Sequence, residues 1–365
     1  MIRDWLANRE CIVSINLLRA AEFRRYLRAP EQLALEVEHA LREAGDRTVR
    51  VFIDEVQKLP ELLDEVHDLM QNHQERTQFI LTGSSARKLK RSGVNLLAGR
   101  AIVRHLHPFS FAEIPDFDLG RALNWGTLPK AYLGASSPVA FLEAYVGTYL
   151  KEEIQLESAV RRLDAFQRFL EVAAQMNGHL INYTKVGKDC HVSAKTVREY
   201  FGILEDTLLA FRLDPWARSV REQVRQQPKF YFFDNGVLNA LRGELRIDLR
   251  PSSYRYGGLF ETFVVQELHR QNDYLDRGRR FHHWRTDADD EVDVIVDRGW
   301  SQPPTAVEIK SANAPTVDDV DGLRVFGKLY PEARLLCLCQ TPRPYRIGQR
   351  IEVLPWKDGV AEALA

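Results

Sequence analysis

Two sets of charged residues in this 365-residue chain are spaced for phosphate chemistry. The first is Asp54-Glu55, which closes the unbroken apolar run Val51-Phe52-Ile53. Such a run reads as a strand buried on both faces of a parallel sheet. Ligands of open α/β sheets sit beyond the carboxyl ends of the strands, so this pair falls where a nucleotide and its magnesium would lie. Asp54 would hold magnesium, directly or through water, and Glu55 would orient or deprotonate the attacking water. The plain alternative is a strand, a polar turn and a helix starting near Pro60. The second set is Glu261, Asp293, Glu308 and Lys310. Alternation puts Glu291 and Asp293 on one face of a strand and Val292, Val294 and Val296 on the other; Glu308 and Lys310 lie opposite Val307 and Ile309 on a second strand. Adjacent strands would gather Asp293, Glu308 and Lys310 over an apolar floor. Glu261 lies on the inward stripe of a helix, Leu259 to Gln271, with Val264, Val265 and Leu268. Carboxylate oxygens suit magnesium, and the metal polarises a phosphate and activates water.

The elements that must position the first acid pair follow directly. A helix from Glu61 to Asn72 carries Leu62, Val66 and Leu69 on one face, and Gln78 to Leu81 is a second short apolar strand. This is a strand–helix–strand unit. Its second strand ends in Thr82-Gly83-Ser84-Ser85, at the same sheet edge as Asp54, where the Ser84 and Ser85 hydroxyls could meet a γ-phosphate or the attacking water. VFIDEVQKLPELLDEVHDLM and FILTGSSARKLKRSGVNLLAGRAIVRHLHPFSFAEI together resemble the Walker B and sensor region of an AAA-family ATPase. More closely, the chain resembles the prokaryotic AAA-family ATP-binding proteins that carry a C-terminal domain of unknown function, from about Ile15 through most of its length. The resemblance implies ATP and Mg2+ as cofactors, with Asp54, Ser84, Ser85 and Arg100 on the nucleotide. Arg100 would act as an arginine finger; the alternative is a solvated arginine at a turn.

One motif of that family is missing. A P-loop needs G-x-x-x-x-G-K-[ST], because bare backbone N–H groups must wrap the phosphates. No glycine precedes Gly45, and the two Gly-Lys pairs, Gly187-Lys188 and Gly327-Lys328, continue into Asp189 and Leu329. In the family the P-loop lies just ahead of the strand corresponding to Ile12–Leu17. The expectations are a chain that starts after its Walker A motif or a protein that has dispensed with ATP. In either case ATP binding is weak or lost in this chain.

The rest of the chain reads in order. Met1 to Asn8 is a short helix end and Cys11–Leu17 a strand; helices follow over Ala20–Arg28 and Glu31–Ala44. Ile102 to Pro108 reads as a strand with His105 and His107 on one face, spaced like paired metal ligands. No carboxylate or cysteine is near them in sequence, which favours a surface or interface strand. Asp116 to Pro138 is rich in Pro, Gly and Asp, an exit from the first domain. Phe141 to Ser158 reads as a long helix, and Leu163, Phe166, Leu170 and Ala174 form a core stripe on the next. Lys185–Cys190, a turn at His191–Ser193, a helix Ala194–Thr207 capped by Ser193, and a wing strand Leu208–Leu213 make a winged helix. Its outer face carries Lys195, Thr196, Arg198, Glu199 and Asp206, a mixed charge that favours packing over DNA contact. Lys229 to Gly236 is a buried strand closed by a turn, with no role for Asp234 beyond that turn.

The C-terminal set resembles the PD-(D/E)XK nuclease fold: a helix acid, a strand Asp, then Glu-x-Lys. That resemblance implies that Asp293 and Glu308 hold magnesium and that Lys310 stabilises charge at the scissile phosphate. The alternative is an inactive nuclease-like domain, or an ion pair on a half-polar sheet. The fold class is therefore α/β: an incomplete P-loop/AAA-type parallel sheet core (1–120), a helical connector (121–158), a winged helix (159–215) and a PD-(D/E)XK nuclease-like α/β domain (228–356).

Hydrophobic residues make 45% of the chain and charged residues 28%, a globular composition. The net charge of −1 leaves any nucleic-acid-binding surface local. No run approaches the ~18 apolar residues of a membrane span. MIRDWLANRE lacks the apolar core of a signal peptide, so a cytoplasmic location is expected. Cys337 and Cys339 share one strand face, as core packing would place them. Three functions stay open: a nucleic-acid-linked AAA-type ATPase, a magnesium-dependent nuclease with the ATPase part as scaffold, and a non-enzymatic interaction module. DNA or RNA and further copies of the chain are the candidate partners; a membrane is not.

Overall fold

The structure is a computed structural model that describes residues 12–73, 75–84, 100–134, 137–149, 163–217, 226–251, 253–299 and 302–365. The chain divides into two compact units, one of residues 1–103 with 206–208, the other of residues 104–205 and 209–365.

The first unit is built on three parallel strands in the order β1 (Ile12–Asn16), β2 (Val49–Asp54), β3 (Thr77–Leu81). Asn16 pairs with Asp54 and Ile53 with Leu81, so the three carboxyl ends are level. Helices α1 (Ala20–Arg28) and α2 (Gln32–Ala44) join β1 to β2, and α3 (Leu62–Asn72) joins β2 to β3. Val51, Phe52 and Ile53 are all buried, as an apolar run covered on both faces requires. Leu33, Val37 and Leu41 of α2, and Leu62, Val66 and Leu69 of α3, bury the predicted stripes. Each such side chain contributes roughly 1.5–3 kcal/mol.

The second unit carries an eight-stranded mixed sheet. Its strands are β4 (Ala210–Pro215), β5 (Lys229–Phe232), β6 (Arg280–Arg285), β7 (Glu291–Asp297), β8 (Thr305–Ile309), β9 (Arg334–Cys339), β10 (Tyr345–Ile347) and β11 (Ile351–Pro355), in the order β10-β11-β9-β8-β7-β6-β4-β5. The helices that precede it are α4 (Leu119–Trp125), α5 (Pro129–Tyr132), α6 (Pro138–Ala144), α7 (Leu163–Gln175), α8 (Tyr183–Cys190) and α9 (Ala194–Asp206). Among and after the strands come α10 (Asn235–Arg242), α11 (Tyr254–Tyr274), α12 (Asp321–Leu329) and α13 (Trp356–Leu364). One continuous core includes Leu123, Phe169, Phe201, Phe230, Phe263, Val294, Leu338 and Trp356. It runs through all three segments that the sequence separates as connector, winged helix and nuclease-like domain. A second cluster, on the α12 side of the sheet, holds Val292, Ile295, Phe326, Cys337 and Cys339. No helix among the described residues is long and apolar enough to cross a membrane.

Several elements differ from the sequence reading. Residues 102–107 form no strand; Ile102, Val103 and Leu106 are exposed, and side-chain bonds rather than a ladder hold this stretch. The helix expected from Phe141 is α6, followed by a π-helical turn over Tyr145–Tyr149; residues 150–158 lie outside the described residues. Met1–Asn8 and Cys11 lie outside them too. Leu163 is exposed at the first position of α7, beyond the end of the stripe that Phe166, Leu170 and Ala174 bury. Helix α9 is capped as expected, the Thr196 N–H donating to Ser193 Oγ over 3.1 Å. The strand after it, expected as a wing, is inner strand β4, paired with β5 and β6. Helix α11 begins at Tyr254 rather than after Gly257-Gly258, because Ser253 caps it by accepting the Tyr256 N–H.

Asp234 does more than close a turn. It is fully buried and caps α10, accepting the Gly236 and Val237 N–H groups at 2.9 and 3.1 Å and the Thr127 N–H at 2.7 Å. Gly126, at φ +70°, leaves room for this carboxylate; a Cβ there would sit 2.0 Å from Asp234 Oδ1. Asp234→Ala strands three buried donors and is expected to cost about 2–4 kcal/mol, whereas Asp234→Asn retains an acceptor and costs less. Urea denaturation of the two variants measures the difference.

Candidate functional site

The C-terminal acids meet where two strands part. The ladder between β7 and β8 runs from Val296↔Thr305 to Val294↔Val307. Beyond it the Asp293 carboxylate enters the gap and accepts the Ile309 N–H at 2.8 Å, while the Lys310 N–H still bonds to Leu338 of β9. A β-bulge prepares this fork: between His282↔Ile295 and Trp284↔Val292, Asp293 and Val294 together face the single residue His283. The bulge corrects the alternation expected for β7. Val292 packs in the α12-side cluster, and Val294 and Val296 pack in the α11-side one, instead of all three sharing a face.

The four predicted residues converge at this fork. Glu308 is buried, and its Oε1 accepts Lys310 Nζ at 2.8 Å. Among the described residues, Glu308 Oε2 is buried with no hydrogen-bond partner. Glu261 reaches the cluster from α11, its Oε1 accepting the Tyr231 hydroxyl at 2.8 Å. Burial raises the pKa of Glu261 to about 7, and the Asp293 charge adds to the rise. Burial also pushes Asp293 up, with Lys229 and Lys310 pulling back. Glu308 is pushed well up by burial and then by Asp293.

Two members escaped the sequence reading. Lys229, buried at the head of β5, ion-pairs with Glu291 and feels the charges of Glu261 and Asp293. Burial opposes its charge, and those carboxylates more than offset it. Tyr231 lies two residues on, on the same strand face. A lysine and a tyrosine at period two in an otherwise apolar strand were the available signal. Four carboxyls, on Glu261, Glu291, Asp293 and Glu308, thus surround two lysines, a balance of minus two when all are ionised.

At the other constellation, Asp54 ends β2 and its Oδ1 accepts the Thr82 hydroxyl at 2.7 Å. Glu55 turns the chain at φ 63°, a left-handed conformation uncommon for a side-chain-bearing residue. Its Oε2 accepts Gln57 Nε2 at 2.6 Å, and the same amide donates to Ser84 Oγ at 3.1 Å. Gln57 and Thr82 are the members the sequence reading missed as ligands of this edge. Arg100 lies against α3, its Nη1 3.3 Å from His67 Nδ1. Ser85 lies outside the described residues.

Residues 1–115 match the family model described as an AAA domain. Residues 116–248 and 256–358 match two further models, each described as a domain of unknown function, DUF8612 and DUF4143. Two uncharacterized proteins, Mb2031c of Mycobacterium bovis and Rv2008c of Mycobacterium tuberculosis, are each 25% identical over 272 residues, covering 73% of this chain and 60% of theirs. An uncharacterized protein of Haemophilus influenzae is 21% identical over 222 residues, 56% of this chain and 54% of its own. The chain therefore spans about three fifths of the length of the mycobacterial relatives. The parallel sheet of the first unit agrees with the AAA match, which points to an ATPase-like family.

The raised pKa of Glu261 has a measurable sign. Between the ordinary glutamate value and about 7 the folded state holds a proton that the unfolded state has released. This group therefore lowers stability as pH rises through that window. In chelator, Glu261→Gln should melt a few degrees above wild type at pH 8 and close to it at pH 5. A lower melting temperature at pH 8 would mean that Lys229 stabilises the Glu261 carboxylate on balance.

Proposed function

We propose that this chain joins an ATPase-like AAA unit to a magnesium-dependent phosphodiesterase site of the PD-(D/E)XK kind, acting on DNA or RNA. The observation that carries the reading is the meeting of Asp293, Glu308 and Lys310, with Glu261 beside them, around Glu308 Oε2, which has no hydrogen-bond partner among the described residues. A buried carboxylate oxygen without a hydrogen bond is costly, and a hard cation is the partner that suits it. Asp293 and Glu308, with Glu261, would hold Mg2+. The ion would polarise a phosphate and activate water.

The remaining roles belong to the chain's own groups. Lys310, held at Glu308 Oε1, presents an ammonium to the charge that develops on the scissile phosphate. Tyr231 fixes the Glu261 carboxyl through its hydroxyl. The Ile309 N–H fixes one Asp293 oxygen and leaves the other for a cation. We read α8, the turn after it and α9 as a helix-turn-helix segment that leads into β4, and Asp54, Glu55 and Ser84 as a Walker B and sensor edge. A second reading, an interaction module without catalysis, draws on Lys229, whose ammonium already lies among the carboxyls that would bind metal.

Cleavage assays on single- and double-stranded DNA and RNA, with and without Mg2+, separate these readings. Asp293→Ala or Glu308→Ala should lower cleavage by about 10³-fold, about 4 kcal/mol of barrier. Lys310→Ala should slow cleavage and leave magnesium affinity intact, since the lysine is no ligand. A protein that cleaves none of the four substrates leaves the interaction module. For nucleotide, the 365-residue chain contains no G-x-x-x-x-G-K-[ST] to cradle a β-phosphate, so its ATP binding should be weak or undetectable. Low-micromolar affinity abolished by Asp54→Ala would overturn that expectation.

A further inference from the structure

The two histidines read from sequence as part of a surface strand lie instead against a helix end. His107 Nε2 lies 2.8 Å, and His105 Nδ1 3.1 Å, from the same oxygen, Asp273 Oδ2. Asp273 belongs to the last turn of α11. One ligand atom from each of the three side chains falls within 4.8 Å of the other two. We propose that His105, His107 and Asp273 form a binding site for a divalent transition metal of the zinc class, with one coordination position left to water.

The donor set and its dimensions fit that metal. Two imidazole nitrogens and a carboxylate oxygen are zinc ligands, at about 2.0–2.2 Å. Ligand atoms at that distance in a tetrahedron stand about 3.3 Å apart. The observed 2.8 and 3.1 Å need only a few tenths of an ångström of opening. Three protein ligands are the usual complement of a zinc site that keeps an open position. The His105 side chain is 40% exposed and that of His107 11%, so the site is anchored on one side and reachable on the other.

The surroundings hold the ligands in place. Arg104 donates to Asp276 at 2.9 Å, and the Tyr274 hydroxyl accepts the His107 N–H at 2.9 Å. The His107 ring packs on His269, at 5.4 Å between centroids, and His269 packs on Phe211 at 4.3 Å. Position also matters electrostatically. The carboxyl end of a helix carries partial negative charge, so a carboxylate in the last turn is unfavourable unless a cation joins it. Helix α11 has no basic residue in that turn. A metal bound there would offset both charges and clip residues 104–107 to α11.

The test uses untagged protein of the full 365-residue chain, stripped with chelator, then titrated with Zn2+ alone by calorimetry and with Co2+ alone by visible absorption. Counted in Asp293→Ala, which disables the other acid cluster, one equivalent of each should bind, with cobalt bands of four-coordinate intensity. His105→Gln, chosen because this exposed side chain can change without disturbing the fold, should weaken Zn2+ at least about thirtyfold, as should His107→Gln and Asp273→Asn. Asp293→Ala, in the other acid cluster, should leave this equivalent unchanged. Zinc affinity that survives in both His105→Gln and Asp273→Asn, or a wild type that binds no zinc, overturns the proposal.

Discussion

The Arg270 guanidinium is the interaction on which the second unit depends. Arg270 is buried near the C-terminal end of α11 and pairs with Glu267 at 3.0 Å. It donates to the carbonyls of Phe109 and Phe233 and to the Thr127 hydroxyl, at 2.8–3.0 Å. Glu267 in turn accepts the Phe111 N–H. A buried ion pair rarely returns its desolvation cost by attraction alone; it persists where hydrogen bonds satisfy its remaining groups. Here those bonds tie three loops, far apart in sequence, to one helix. That helix carries Glu261 toward the acid cluster and Asp273 toward the two histidines. Twelve residues separate them, about 18 Å along the axis, so one rigid rod sets the positions of both candidate sites.

The acid cluster sits where the sheet gives up regular pairing. An unbroken β7–β8 ladder would have occupied the Ile309 N–H with a main-chain carbonyl and left Asp293 without its place between the strands. The bulge at Asp293 and Val294 ends that pairing, and the carboxylate replaces the lost acceptor. The fork thus costs no unpaired Ile309 donor and yields a carboxyl within electrostatic reach of Glu261 on α11 and of Glu308 on β8. Burial then makes ionisation costly for all three acids, and the two lysines offset only part of that cost.

What the sequence made legible was local and periodic. The apolar run Val51–Ile53 and the stripe Leu62, Val66, Leu69 are patterns of a few residues, and they predicted β2 and α3 closely. The pairing of Glu308 with Lys310 follows from their spacing of two, which one strand enforces. What stayed hidden depends on partners distant in the chain. Nothing near His105 and His107 announces Asp273, more than 160 residues later. Lys229 could be placed among the acids only once β5 was known to lie beside β4 in the same sheet. The strand expected over Ile102–Pro108 failed for the same reason. A strand needs a neighbour's edge, and this stretch is held by Asp273, Tyr274 and Asp276 side chains instead.

The two acid sites solve one problem, holding carboxylates at strand ends, at different depths. In the first unit Asp54 and Glu55 sit at the level ends of three parallel strands, partly exposed, Asp54 accepting the Thr82 hydroxyl and Glu55 the Gln57 amide from the same edge. Water can stabilise their charge. In the second unit Asp293 and Glu308 are buried, and one Glu308 oxygen has no hydrogen-bond partner among the described residues. That oxygen is shielded from the solvent that reaches Asp54. A proton or a divalent cation would satisfy it, and the charge left over by the two lysines equals that of one divalent ion. Burial of these groups therefore favours a proton or a cation at this oxygen, independently of any likeness to a nuclease.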